Sequence, residues 1–229
     1  MGGKARYSDR RAARTGCAAH KAIIPPMFPD TILQSFLTLF VVVDPVGVAV
    51  LFLGLAGSRS KEERGAIARK AVLVAASVLF VFALFGSALL NHLGITLNAF
   101  RVAGGLLLFK IATDMVFAQL ERETKEEAAE AREKPDISVF PLAIPLLAGP
   151  GALAGAMILA GSGEPAAQGA VYGSIALVSF IAYLSLVAAE WLFRLLGHTG
   201  VNVVTRILGI LLAALAVQYI ADGAKGLWT

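Results

Sequence analysis

Residues 71–93, 137–161 and 168–189 contain no Asp, Glu, Lys or Arg. Each run is long enough to cross about 30 Å of hydrocarbon at roughly 1.5 Å per helical residue. Nothing else in the chain constrains its fold as tightly, because a backbone in hydrocarbon must satisfy its own N–H and C=O groups. Composition agrees: the 229 residues are 57% hydrophobic and 16% charged, too apolar for an ordinary soluble domain. The expectation is an all-α, polytopic integral membrane protein whose six helices lie near 31–57, 71–93, 99–119, 137–161, 168–193 and 204–222.

One offset relates the two halves of the chain. Shifting by 105 residues carries Pro45 onto Pro150, Ala49 onto Ala154, Arg101 onto Arg206, Gly104 onto Gly209 and Leu107 onto Leu212. A constant register across three apolar segments per half reads as an internal duplication. With an odd number of spans per copy, the second copy enters the membrane upside down, giving the 3+3 inverted-topology repeat of many secondary transporters. The chain then divides into a basic tail (1–27), a first three-helix repeat (28–119), a charged linker (120–136) and a second repeat (137–229).

Spans one and four are unusual in carrying helix-breaking residues midway. Pro45 and Pro150 lack an N–H, while Gly47, Gly149 and Gly151 let the backbone leave helical geometry at low steric cost; Pro141 and Pro145 loosen the start of span four. Freed backbone groups in hydrocarbon cost several kcal/mol apiece, so both breaks should face the protein interior. Half-helices restarting after the two prolines would bring their N-termini together near the midplane, where unpaired N–H groups favour an anion such as a carboxylate. The substrate-binding residues expected on this ground are Asp44, Pro45, Val46, Gly47 and Val48 from one break and Gly149, Pro150, Gly151 and Ala152 from the other. Asp44 has Gly149 as its counterpart. A carboxylate this deep could accept a substrate ammonium, carry a coupling cation or proton, or simply cap the second half-helix.

Charges outside the spans indicate orientation. The loop after span one holds Arg59, Lys61, Arg64, Arg69 and Lys70, and the loop after span three holds Arg122, Lys125, Arg132 and Lys134. The positive-inside rule puts the first, third and fifth loops in the cytoplasm and both termini outside. The sequence pI near 9.4 is therefore a topology signal rather than a nucleic-acid signal. The tail opposes this orientation with Lys4, Arg6, Arg10, Arg11, Arg14 and Lys21, yet it has no apolar core or cleavage pattern of a signal peptide. A start at Met27 would remove the conflict. Cys17, the only cysteine, lies in that tail and leaves no basis for disulfides or thiol catalysis. In the linker, Glu121 with Lys125 and Glu130 with Lys134 suit a short solvated helix.

Lys110 and Asp114 stand one helical turn apart in span three, where a neutralised pair costs the membrane less than either charge alone. Arg101 and Arg206, related by the repeat, would begin spans three and six and anchor at opposite interfaces by snorkelling, or gate the two entrances. With Asp44, these four are the coupling or gating candidates. Glu190 and Arg194 form a local i,i+4 pair near the end of span five. His20, His92 and His198 fall in the tail and two loops without metal-ligand spacing, and no catalytic or phosphate-loop motif is present. The chain is expected to be no enzyme, with neither metal nor cofactor.

The blocks Phe40-Val-Val-Val-Asp-Pro-Val-Gly, Ala99-Phe-Arg-Val-Ala-Gly-Gly-Leu-Leu-Leu-Phe and Phe140-Pro-Leu-Ala-Ile-Pro-Leu-Leu-Ala-Gly-Pro-Gly-Ala resemble the MarC family of bacterial and archaeal inner-membrane proteins. The resemblance covers roughly residues 28–222 and implies six spans in the cytoplasmic membrane. It also implies, from SnatA-like members, transport of small neutral amino acids such as glycine and alanine. Two positions depart from the family's first motif: Val48 stands for its usual asparagine and Val50 for its proline. After the second break Gly155 stands where a threonine is common. Polar contacts of that kind discriminate similar substrates. The combined expectation is a secondary transporter working by alternating access around a midplane site, in contact with lipid and coupled to a proton or sodium gradient. The alternative is a non-transporting membrane scaffold of the same fold that binds a partner. Oligomeric state has no signature in the sequence.

Overall fold

A computed structural model describes residues 28–56, 59–117, 136–161 and 165–228. The tail with Cys17 and His20, and the linker with its expected solvated helix, lie outside these residues. Among the described residues the chain is all helical: α1 (Phe28–Val43), α2 (Pro45–Ala56), α3 (Lys61–His92), α4 (Leu97–Val116), the irregular wide-turned α5 (Ser138–Leu147), α6 (Pro150–Ala160), α7 (Pro165–Val187) and α8 (Ala189–Trp228).

Four helical runs are long and apolar enough to cross a membrane: Ile32–Ala56, Lys61–His92, Ala167–Val187 and Ala189–Trp228; the pair α5 and α6, bent by 55°, makes a fifth if counted as one. α4 has 20 residues but carries Arg101, Lys110 and Asp114. Large apolar side chains stand on the outer surface as well as in the core. Leu73, Phe85, Phe180 and Ile210 are 57–63% exposed, which water would penalise and lipid does not.

Local chemistry sets the helix ends. Ser60 and Glu63 form a reciprocal capping box at the start of α3, and the Thr96 hydroxyl accepts from Ala99 N–H at the start of α4. The backbone of α8 turns at Gly197 (φ 62°), a conformation glycine adopts without steric cost. Helical hydrogen bonds run through Ala188, from Ala188 N–H to Leu184 O and from Leu192 N–H to Ala188 O, so the fifth span continues toward Gly197, and residues 198–203, expected in a loop, already belong to the long helix.

Polar contacts sort the chain into two ends. Arg64 pairs with Glu190 at 2.6 Å and Lys70 with Asp136, so the first turns of α3, the segment before α5 and the start of α8 lie together. Glu190 also meets Arg194 at 3.5 Å, making the expected local pair the weaker half of an interhelical one. At the opposite end Asn98 Nδ2 donates to Gly226 O at 2.8 Å, and Gly161 packs on the Leu97 side chain. α3, with 32 residues, joins the basic end to the opposite end over about 48 Å.

The packed pairs are nearly unchanged when α1, α2, α3 and α4 are exchanged for α5, α6, α7 and α8. α1–α7 answers α3–α5, α2–α7 answers α3–α6, α2–α8 answers α4–α6, and α1–α6 answers α2–α5; α3–α7 and α4–α8 map onto themselves. Gly151 packs closely, against Ile111 and Leu108, whereas Gly155, Gly169 and Gly173 have open space around them.

Candidate functional site

The two breaks differ in width. Asp44 N–H still donates to Phe40 O (3.1 Å), and Asp44 O already accepts from Val48 N–H (3.0 Å), so the interruption between α1 and α2 is a single residue. Asp44 holds φ at 44°, and its Oδ1 accepts from Gly47 N–H at 3.1 Å. The carboxylate thus caps α2. Gly47 is required by that arrangement, since a Cβ there would lie 2.2 Å from Asp44 Oδ2. Oδ2 has no hydrogen bond among the described residues, and Asp44 lines a cavity.

The second interruption occupies ten residues. Phe140 (φ −128°, ψ 127°) and Ile144 (φ −130°, ψ 122°) are extended inside α5, because each precedes a proline whose ring disfavours the helical conformation there. Gly149 is also extended (ψ 171°), Pro150 opens α6, and no side chain caps that helix. The first helical bond of α6 runs from Leu153 N–H to Gly149 O. The Gly151 and Ala152 N–H groups therefore have no acceptor among the described residues.

Between the breaks lies a cavity of about 400 Å³, within the size range of small-molecule sites. Most of the expected residues meet there: Asp44, Gly47, Val48, Gly149, Pro150, Gly151 and Ala152, together with Lys110, Asp114 and Arg206. Pro45 and Val46 do not line it; Pro45 is buried behind the break. Arg101 is also elsewhere, with Nη1 at 3.4 Å from Asn98 Oδ1. Lys110 Nζ and Asp114 Oδ2 pair at 2.8 Å, with the Asp114 side chain 15% exposed. Arg206 does not begin its helix as the sequence suggested. It lies two turns inside the straight part of α8, because that part starts just after Gly197.

Sequence reasoning missed three polar lining residues, His198, Asn202 and Thr205. They share one helical face with Arg206, at spacings of four, seven and eight from His198. The spacing is present in the sequence, but the expected helix 204–222 holds only Thr205 and Arg206 and leaves His198 and Asn202 in the loop before it. Among the described residues no group of His, Cys, Asp or Glu is placed to hold a metal ion. Val48 and Val50, the two family departures in the first motif, both face the cavity, while Gly155 does not line it.

The cavity lies toward the basic end. Its α4 wall is residues 107–115, near the end of that helix, and its α8 wall is residues 198–206, near the start. At the opposite end α4 and α8 are in close contact: a Cβ on Gly105 would lie 2.7 Å from Ile220 Cγ1, and one on Gly223 would lie 2.6 Å from Asn98 O.

An apolar helical bundle around a cavity with charged walls defines an integral membrane protein with an internal polar site. The description "MarC family integral membrane protein" matches residues 30–228, and the chain belongs to that family. A UPF0056 membrane protein of Methanocaldococcus jannaschii is 39% identical over 194 residues, covering 84% of this chain and 95% of that one. One from Aquifex aeolicus is 38% identical over 197 residues, covering 85% and 92%. The Escherichia coli protein YhcE is 35% identical over 207 residues, covering 85% and 92%. No solved structure matches the chain.

Proposed function

We propose that this protein is a secondary transporter of small neutral amino acids, built from six spans as a 3+3 inverted repeat and working by alternating access. The exchange symmetry of its helix contacts supports the repeat, and α4 serves as the third span with Lys110 and Asp114 neutralised as a pair. The contacts that gather the Lys- and Arg-bearing segments at one end support a common side for loops one, three and five, which the positive-inside rule makes cytoplasmic.

The observation that carries the substrate class is the unequal finish of the two half-helices. Asp44 caps α2 and leaves one carboxylate oxygen over, whereas α6 keeps two bare N–H groups on the same cavity. An acceptor on one wall and anion-seeking donors on the other suit a zwitterion, with its ammonium on Asp44 and its carboxylate at Gly151 and Ala152. With apolar Val48 and Val50 in the wall, there is no polar contact from those positions for a longer side chain, which favours a small one. Asp44 and the Lys110–Asp114 pair are the coupling groups, responding to a proton or sodium gradient.

Reconstituted protein should take up labelled glycine or alanine, or exchange them against an internal pool, with a response to an imposed proton or sodium gradient. Absence of flux and of exchange across a broad amino-acid panel overturns the reading. The apolar wall at Val48 and Val50 also favours a second reading, a non-transporting scaffold. In that case Asp44→Asn should mainly lose assembly with a partner, while no solute moves in either protein.

A further inference from the structure

We propose that the protein holds a second polar site, closed in this structure, which forms the opposite half of the solute path and is built from Tyr219, Arg101 and Thr38. The inference rests on the transport reading and goes past it by naming the residues. It starts from register. The 105-residue offset that relates Arg206 to Arg101 also carries Asp114 onto Tyr219, Leu107 onto Leu212 and Ile111 onto Ala216. The first member of each of these pairs, in that order Arg206, Asp114, Leu107 and Ile111, lines the open cavity. Three of their counterparts, Leu212, Ala216 and Tyr219, form one buried cluster with Leu108, Ala112 and Met115.

That cluster has a feature a permanent seam would avoid. Leu212 and Ala216 are fully buried and Tyr219 is 8% exposed, yet among the described residues the Tyr219 hydroxyl makes no hydrogen bond of normal length and angle, the Thr38 side chain giving it only a weak contact. Thr38 stands beside it, 5% exposed, and Arg101 is within electrostatic reach. Buried hydroxyls are almost always well paired, and a poorly paired one lowers the stability of the state that contains it. A phenol that meets water or solute when α4 and α8 part has a reason to be there. The two halves also complement each other chemically. The open side presents the Lys110–Asp114 pair and Arg206, whereas the closed side presents two donors, the Tyr219 hydroxyl and the Arg101 guanidinium, suited to the carboxylate of a small amino acid.

The close approach of α4 and α8 at Gly105, Gly223 and Asn98 keeps this half shut. Parting these helices would open the second half while the mirrored contacts close the first, as expected of two repeats exchanging conformations.

The test uses single cysteines at Thr38, Ala216 and Thr205 in a Cys17→Ala background, in vesicles of both orientations, with a membrane-impermeant maleimide and glycine on both sides. Thr205→Cys, in the open cavity, should react from one face. Thr38→Cys and Ala216→Cys should react from the other, at about 0.1–10% of the Thr205→Cys rate, as expected for a minor state. Buried Ala68→Cys in α3 should react only after denaturation. Tyr219→Phe should keep or raise the melting temperature while slowing exchange of labelled amino acid. Thr38→Cys and Ala216→Cys that react only when denatured overturn the proposal, as does a Tyr219→Phe protein exchanging at the wild-type rate. Labelling without any flux retains the opening and sinks only the amino-acid reading. Flux without labelling sinks the opening alone.

Discussion

The break at Asp44 and the break at Gly149 occupy equivalent positions in the two halves, yet one is a single residue wide and the other follows ten irregular residues. Asp44 keeps hydrogen bonds running on both sides of itself, so Ile32–Ala56 counts as one crossing run. Around Gly149 two extended residues, each before a proline, come first, and the chain turns through 55°. A side chain that caps its own helix keeps a break narrow. Without one the N-terminus stays open to a ligand. The difference gives the cavity an acceptor on one wall and donors on the other, which two identical breaks could not do.

The most direct way to erase that difference is Asp44→Gly, which makes the first break resemble the second. Glycine accepts the φ of 44° freely and loses only a few tenths of a kcal/mol as a cap, so folded yield should hold. Amino-acid flux in proteoliposomes should fall roughly 10–150-fold, the worth of a charged hydrogen bond of about 1.5–3 kcal/mol. Flux within twofold of wild type would show that Asp44 is only a cap.

Next in size is Gly149→Ala. Its Cβ would fall 2.5 Å from Pro145 O, a backbone atom that yields only by shifting α5, and overpacking of this kind costs about 1–3 kcal/mol. Thermal unfolding in detergent should show the loss. An unchanged melting temperature would mean that the second break is looser than described.

Gly47→Ala sharpens the contrast from the other side. Its Cβ would push the Asp44 carboxylate off its cap, so the substitution should destabilise the wild-type background and be milder in Asp44→Gly, with a coupling of about 0.5–3 kcal/mol. Additive effects would show that the carboxylate does not rest on Gly47.

The smallest effect tests what anchors the wide break. The Lys70 ammonium and the Ser138 hydroxyl and amide hold the Asp136 carboxyl well below the usual carboxylate range. A depressed pKa adds stability that is fully present above the unfolded-state value near 3.9 and fades as pH falls below it. The pair is exposed, so Asp136→Asn should cost about 0.2–1 kcal/mol at neutral pH. Melting curves of the two proteins should converge in acid, and a gap that persists there would assign the stability to another contact.

Much of this was legible in the residues. Uncharged runs of membrane-spanning length indicate helices because hydrocarbon offers the backbone no other partner, and proline with glycine marks the interruptions because one lacks a donor and the other lacks a Cβ. The residues flanking both breaks could be named from sequence, and all but Pro45 and Val46 line the cavity. His198 and Asn202 fell outside the expected helix because the turn at Gly197 is one backbone angle that sequence does not announce. Arg206 was expected at a helix start for the same reason.

What the sequence by itself determined is the medium and the places where a helix would have to stop, since hydropathy and the chemistry of proline and glycine are properties of residues alone. Only the tertiary structure decided how wide each break is, that Asp44 spends one oxygen on its own helix while α6 goes uncapped, and toward which end the cavity lies. Those depend on the close approach of α4 to α8 and on which distant groups meet, and neither is encoded in any single stretch of chain.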